Sequence, residues 1–236
     1  MHKVYLKPGK EDSLKRFHPW IFSGAIARFD GEPDEGEVVE VYTSKKEFIA
    51  EGINEAGLSA GLFFFPHYGG YETYDAAQNQ RTLADLQVTE WLLSQFSTID
   101  EVKAALSSVR VVGLEKTAVV HWRIGEPSGR QVVLEIVGGV PHFYENTVGV
   151  LTNAPGFEWQ LTNLNNYVNL HPGDASMQKL SGITLQPTGG NSGFLGIPGD
   201  ATPPSRFVRA AFYRGTAPQR ATGFDTVQLS LIHISE

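Results

Sequence analysis

Cysteine is absent from all 236 residues. That gap removes disulfides, thiolate metal sites and thiol nucleophiles from the chemistry this chain can supply. Lysine thins out abruptly: six stand within residues 1–50, and only Lys103, Lys116 and Lys179 follow. No apolar run approaches the roughly 18 residues that a bilayer span needs, so no membrane partner is expected. The opening MHKVYLKPGK lacks the apolar core of a secretory signal, and the default compartment is the cytoplasm. The seven histidines show no paired spacing on one element, which argues against zinc. Gly189–Gly199 lacks the Gly-Lys-Ser/Thr ending of a phosphate-binding loop. Neither a metal nor a cofactor is called for.

What is present suffices for a folded protein. Apolar residues make up 41% and aromatics 11%, enough to build a core. A net charge of −7 argues against broad nucleic-acid binding by the whole chain. Residues 1–50 carry eight basic and nine acidic side chains, and 51–236 carry eleven and seventeen. That shift fits a boundary near Ala50.

Along the chain, His2–Lys7 and Val38–Thr43 alternate as strands, with Lys46–Ala50 a hairpin partner. Residues 1–50 therefore read as small β structure. Ala60–Phe65 reads as a buried strand stopped by Pro66. Leu83–Phe96 has helical apolar spacing with Thr82 as N-cap. Thr98 and Glu101 form a capping box with a helix through Val109 behind it. Strands are predicted at Ala118–Ile124, Gln131–Val137 and Val148–Thr152. Helices are predicted at Phe157–Asn169 and at Ser205–Tyr213, the latter capped by Ser205. The fold class is α+β, in layers.

Leu151–Tyr167 (LTNAPGFEWQLTNLNNY) is the most informative stretch. Asn153 ends a predicted strand before a Pro-Gly turn, where an amide NH2 can aim into a cleft as an oxyanion hole requires. The same residue at the same place also suits an Asx-turn that closes the loop. LTN-x-P-x-F-x-W-Q-L-x-N-L-x-x-Y resembles the choloylglycine hydrolase family, which includes bile salt hydrolases and penicillin V acylases. Three further stretches agree in order: GINEAGL with AGLFFFP, the VHWRI hairpin through Glu135, and GIPGDATPPSRF ending at Phe207. The resemblance covers about 51–228.

That resemblance implies an N-terminal-nucleophile hydrolase of linear amide C–N bonds with a four-layer αββα sandwich, here partial. It implies an N-terminal Cys whose thiolate attacks and whose own amine is the base, with an Arg and an Asp close behind it. Carried over by motif, Asn153 completes the oxyanion hole and Arg206 lies beside the nucleophile. Phe64 falls where bile salt hydrolases tend to place an Asn and acylases a Tyr, an oxyanion- or substrate-contact position in that family, and it departs from both. The partner implied is a small-molecule amide, of bile-salt or penicillin type.

The front of the chain departs from this pattern. LKPGKEDSLKRFHPWIFSGAI and the GEVVEVY strand resemble the PUA domain that opens class I large-subunit rRNA cytosine methyltransferases. Lys15, Arg16, His18 and Trp20 give the charge and aromatic surface that RNA favours, and equally a solvated charged face. Because only the front of that domain is expected here, RNA contact by 1–50 is not expected to be specific. LSLIHISE at 229–236 resembles a translated sequencing adapter, and it also alternates as an edge strand would. The expected domains are thus a partial PUA-like segment (1–50), a hydrolase-like domain without its N- and C-terminal parts (51–228) and a non-native tail (229–236). Three readings follow: an amidase piece inactive for want of its Cys, an RNA-binding module with a passenger, and a fusion using a processed Ser or Thr. The last ranks lowest, since residue 2 is His and no Ser or Thr stands in a family-like start.

Overall fold

The computed structural model describes residues 2–10, 23–32, 39–42, 48–49, 51–113, 119–190 and 192–217. Lys15, Arg16, Ala50 and the 229–236 tail lie outside the described residues. The chain forms two compact units, Met1–Glu145 and Asn146–Glu236.

The first unit opens with β1 (His2–Leu6), β2 (Ile26–Asp30), β3 (Val39–Tyr42) and β4 (Phe48–Ile49), in a sheet of order β2-β1-β3-β4. The predicted strands at 2–7 and 38–43 and the hairpin partner near 46–50 are present in their described parts. Alternation decides the faces: Val4 and Leu6 are buried, while Tyr5 stacks on Tyr42 at 5.3 Å with Arg28 over its ring.

Its second sheet has the order β11-β10-β9-β6-β5. The strands are β5 (Glu51–Ile53), β6 (Ser59–Phe64), β9 (Val120–Gly125), β10 (Gln131–Val137) and β11 (Val140–Glu145), each antiparallel to its neighbours. β7 (Thr82–Ala84) and β8 (Arg110–Val112) form a separate parallel pair. The period of two puts Ala60, Leu62, Trp122, Ile124, Val132, Leu134 and Ile136 on one face. There they pack with Val88 and Leu92 of α1 (Val88–Gln95) and with Ile99, Val102 and Leu106 of α2 (Ile99–Leu106). Each large side chain fully buried there contributes about 1.5–3 kcal/mol. The opposite face carries Phe63, His121, Val133 and Glu135. On it, His121 Nδ1 lies 3.1 Å from Glu135 Oε1 with both groups buried, and the imidazole stacks on Phe65 at 4.3 Å.

Two sequence expectations change at the α1–α2 region. The predicted Leu83–Phe96 helix starts only at Val88, and Thr82 is a strand residue whose hydroxyl donates to the Gln78 carbonyl at 2.9 Å. Pairing of 82–84 with 110–112 outcompetes the helical pattern. The capping box is as expected: Thr98 Oγ1 accepts from the Glu101 N–H, and Glu101 Oε2 accepts from the Thr98 N–H at 3.1 Å. The Ser97 N–H and then the Thr98 N–H, both donated to it, hold the Glu101 carboxyl below its usual range. The helix stops at Leu106, not Val109, because the Ser107 and Ser108 hydroxyls donate to the Ala104 and Ala105 carbonyls.

The GINEAGL motif gains a structural meaning. Asn54 Oδ1 accepts from the Leu58 N–H, and its Nδ2 donates to the carbonyls of Leu93 (2.9 Å) and Phe96 (2.7 Å). One amide thus closes the β5–β6 turn and satisfies the open carbonyls at the end of α1.

In the second unit, α3 (Phe157–Asn163) runs into a 3-10 turn at Leu164–Tyr167, and α4 spans Pro203–Thr216. The two helices meet through Phe157 and Phe207, edge to face at 6.2 Å. A hairpin missed by the sequence reading, β12 (Gln178–Leu180) with β13 (Ile183–Leu185), is exposed at every position. Val148–Thr152 is in no ladder among the described residues, unlike the predicted strand: Val148 lies in a bend and Gly149 has φ 71°. The strand actually following β10 is β11, whose start at Val140 directly after Gly138-Gly139 leaves a two-residue hairpin turn, both glycines with positive φ.

Candidate active site

The 150–153 segment is held from two sides within its own unit. Val150 and Leu151 are buried, and Thr152 Oγ1 donates to the Pro203 carbonyl at 3.0 Å. From α3, the fully buried Gln160 reaches Thr152 Oγ1 and the Asn153 carbonyl through Nε2, each at 3.5 Å. Asn153 is half-buried at the end of this segment.

α4 supplies the other half. It begins at Pro203, two residues before the predicted start, with prolines in its first turn, where missing N–H groups cost nothing. Ser205 is therefore not the N-cap. It lies inside the first turn, buried, and donates to Asp200 Oδ2 at 2.6 Å. Asp200 also accepts from the Thr202 hydroxyl and from the Thr202 N–H at 2.9 Å. These donors, Ser205 first, pull the Asp200 carboxyl down to about 2. Arg209 Nη1 donates to the carbonyls of Pro198 and Asp200 at 2.8 and 2.7 Å, which ties the preceding loop to the helix.

Arg206 is thereby aimed. Its Nε donates to the Ala201 carbonyl at 3.1 Å and its Nη2 to Asn153 Oδ1 at 2.8 Å. The guanidinium has no carboxylate partner among the described residues. Desolvation, then the nearby Arg209 charge, pushes its pKa down, yet an arginine stays protonated. Because Asn153 Oδ1 is engaged, its NH2 is turned away from Arg206 as a donor. The alternative Asx-turn fails for a simple reason: it would need an N–H two residues on, and residue 155 is proline. A further arginine, Arg214, donates to the Val148 carbonyl at 2.7 Å. Gly149, at φ 71°, leaves the room this needs, since a side chain there would collide with the Arg214 guanidinium.

Two of the sequence-singled residues, Asn153 and Arg206, are therefore brought into hydrogen-bond contact. Phe64 stands on β6 in the first unit and is 46% exposed. Lys15 and Arg16 fall outside the described residues. Thr152, Gln160 and Asp200 were not singled out, although all three sit inside the motifs quoted for the resemblance. Among the described residues no group of three or more His, Asp or Glu side chains forms a metal-binding cluster.

Residues 37–234 match the profile of the linear amide C–N hydrolases, choloylglycine hydrolase family. The chain belongs to that family. A bile salt hydrolase/transferase from Clostridium perfringens is 35% identical over 171 residues, covering 70% of this chain and 52% of that protein. A solved variant of conjugated bile acid hydrolase from the same organism superposes with a TM-score of 0.70 at 30% identity, over 80% of this chain and 60% of that one. Penicillin V acylase from Agrobacterium tumefaciens shares the fold, with a TM-score of 0.61 at 22% identity over 79% and 51% of the two chains. The chain thus spans about half to three-fifths of the choloylglycine hydrolase relatives it matches. Residues 4–56 separately match a PUA-like domain. There, 49 residues are 47% identical to ribosomal RNA large subunit methyltransferase I from Aliivibrio fischeri, over 21% of this chain and 12% of that protein. Among the described residues no helix is long and apolar enough to cross a membrane.

Proposed function

We propose that Asn153 and Arg206 form the oxyanion-stabilising half of a linear-amide hydrolase site of the conjugated-bile-salt or penicillin V type. The observation that carries this reading is the 2.8 Å bond from Arg206 Nη2 to Asn153 Oδ1. It orients the Asn153 NH2 as a donor and places a half-buried positive charge beside it, the pairing that a developing oxyanion needs. Phe64, in the first unit, is carried over by the motif as a substrate-contact position of the family, apart from that pair. In the domain division that goes with this reading, 1–50 is a PUA-like segment, 51–228 the hydrolase-like part and 229–236 a tail foreign to both.

The chain as written does not hydrolyse amides. One oxyanion donor is worth about 10²–10³ in rate, whereas loss of a nucleophile costs on the order of 10⁶. With no cysteine in the sequence, Asn153 and Arg206 would stabilise an oxyanion that nothing generates. The test is direct: penicillin V and glycine- or taurine-conjugated bile acids are incubated with the full chain, and no release above background is expected. A Cys-initiated segment from a related acylase in place of residues 1–50 should return activity. Turnover by the chain itself would refute the inactivity.

A second reading has its own support. The PUA-like match at 4–56, with the Arg28, Tyr5 and Tyr42 stack, favours an RNA contact in which Lys15 and Arg16 take part. Salt-sensitive binding of rRNA fragments that Lys15→Glu and Arg16→Glu abolish would support it, and absence of any such binding would remove it.

A further inference from the structure

We propose that Gln160 is a positioning residue that sets the pose of Asn153. The inference rests on the reading of Asn153 and Arg206 as an oxyanion-stabilising pair. A fully buried glutamine is costly unless its amide is satisfied, and here half of it is not: Oε1 has no hydrogen-bond partner. An apolar side chain of similar length would fill the space between α3 and the 150–153 segment without that cost. Only one part of the Gln160 side chain does something a methionine could not. Its Nε2 reaches the Asn153 carbonyl and Thr152 Oγ1, each at 3.5 Å.

Those two contacts lie on either side of the peptide that leads into Asn153. Thr152 Oγ1 also donates to Pro203 in the first turn of α4, and Arg206, one turn along that helix, holds Asn153 Oδ1. Asn153 is thus gripped at its main chain by Gln160 and at its side chain by Arg206. With the carbonyl released, the Asn153 backbone rotates and its Oδ1 leaves the guanidinium. The amide NH2 then loses its direction, although the fold around it stays packed.

The expected signature separates positioning from scaffolding. In the full chain, side-chain 15N spectra report the Asn153 amide (assigned by its loss in Asn153→Ala) and the Arg206 guanidinium. In the wild type, the Asn153 amide protons should be displaced from free-amide shifts and Arg206 Nη exchange slowed. Gln160→Met should move the Asn153 pair to free-amide shifts and speed Arg206 exchange by roughly tenfold, about what one hydrogen bond is worth. Its Tm should hold or rise, because the orphan acceptor is gone. Gln160→Glu gives a second handle. Its buried carboxyl donates while protonated, so the wild-type signature should return at low pH and vanish as the acid ionises. If Gln160→Met does not fold, this pH-dependent pair carries the test alone.

A lowered Tm in Gln160→Met with Asn153 and Arg206 signals unchanged would overturn the proposal, as would a Gln160→Glu spectrum indifferent to pH. A wild-type chain without the Arg206–Asn153 bond would instead overturn the reading of the site itself. The two failures are distinguishable.

Discussion

The five-stranded sheet of the first unit and the 150–217 region of the second are held together by opposite means. In the sheet, Trp122, Ile124, Val132 and Leu134 are fully buried on one face, and pairing runs strand to strand. In the second region the described contacts that fix shape are largely side chains on main-chain carbonyls: Thr152 to Pro203, Arg209 to Pro198 and Asp200, Arg214 to Val148. Apolar surface that would be core elsewhere is open, with Val168 and Leu195 each 80% exposed. Area burial is non-directional, so it stabilises without aiming anything. Hydrogen bonds to carbonyls aim groups and stabilise little, about 1 kcal/mol net each. The difference locates stability in the first region and chemical geometry in the second.

Substitutions at both ends sharpen that contrast. Trp122→Ala should cost about 3–5 kcal/mol, read as a lower denaturation midpoint with unfolding cooperative throughout. If the sheet melted no earlier than the wild type, stability would have to be sought elsewhere. In the repaired, Cys-initiated enzyme, Asn153→Ala and Arg206→Ala should each lower kcat by about 10²–10³ while leaving Tm nearly unmoved. Equal rates in wild type and both variants would refute the site assignment.

Two smaller effects test the edges of the comparison. Thr98→Ala removes one half of the capping box of α2, a loss of about 0.5–2 kcal/mol, measurable by urea titration and confined to stability. Asp200 should show the converse in acid. Its folded pKa, about 2, lies below the ordinary 3.8, so its contribution is complete above 3.8 and disappears as pH falls through about 2. The carboxyl is exposed, so the effect on global unfolding is small. It should appear as an acid-induced loosening of the Arg206 resonances that Asp200→Asn shows already at neutral pH.

How much of this could be read beforehand followed the same divide. Gln131–Val137 was legible to the residue, because a short, nearly continuous apolar run bounded by Pro127-Ser-Gly129 and Gly138-Gly139 reads as a strand buried on both faces. The Thr98–Glu101 box was equally plain, since its bonds are local. Leu83–Ala84 misled because apolar residues at helical spacing also serve a short parallel strand, and only the distant 110–112 segment decides between them. The β12–β13 hairpin carried no signal, since exposed residues impose no burial pattern. At the site, motif likeness picked out Asn153 and Arg206, but their mutual bond spans 53 residues and is a property of the folded chain. Gln160 was hidden for a different reason: a glutamine in an amphipathic helix reads as surface until its burial is seen.

Tyr71, in the segment between β6 and β7, holds the start of β9 in the five-stranded sheet. Its hydroxyl donates to the Val120 carbonyl at 3.0 Å and accepts from the Val120 N–H at 2.9 Å, so a phenol stands where a neighbouring strand would pair. Desolvation raises its ionisation well above that of a free phenol. Among the eight tyrosines of the chain, this one should remain dark in an alkaline titration followed by tyrosinate absorbance until the rim of the sheet parts. The molecule therefore carries its own optical gauge of local opening at β9, readable without a label and silenced by Tyr71→Phe.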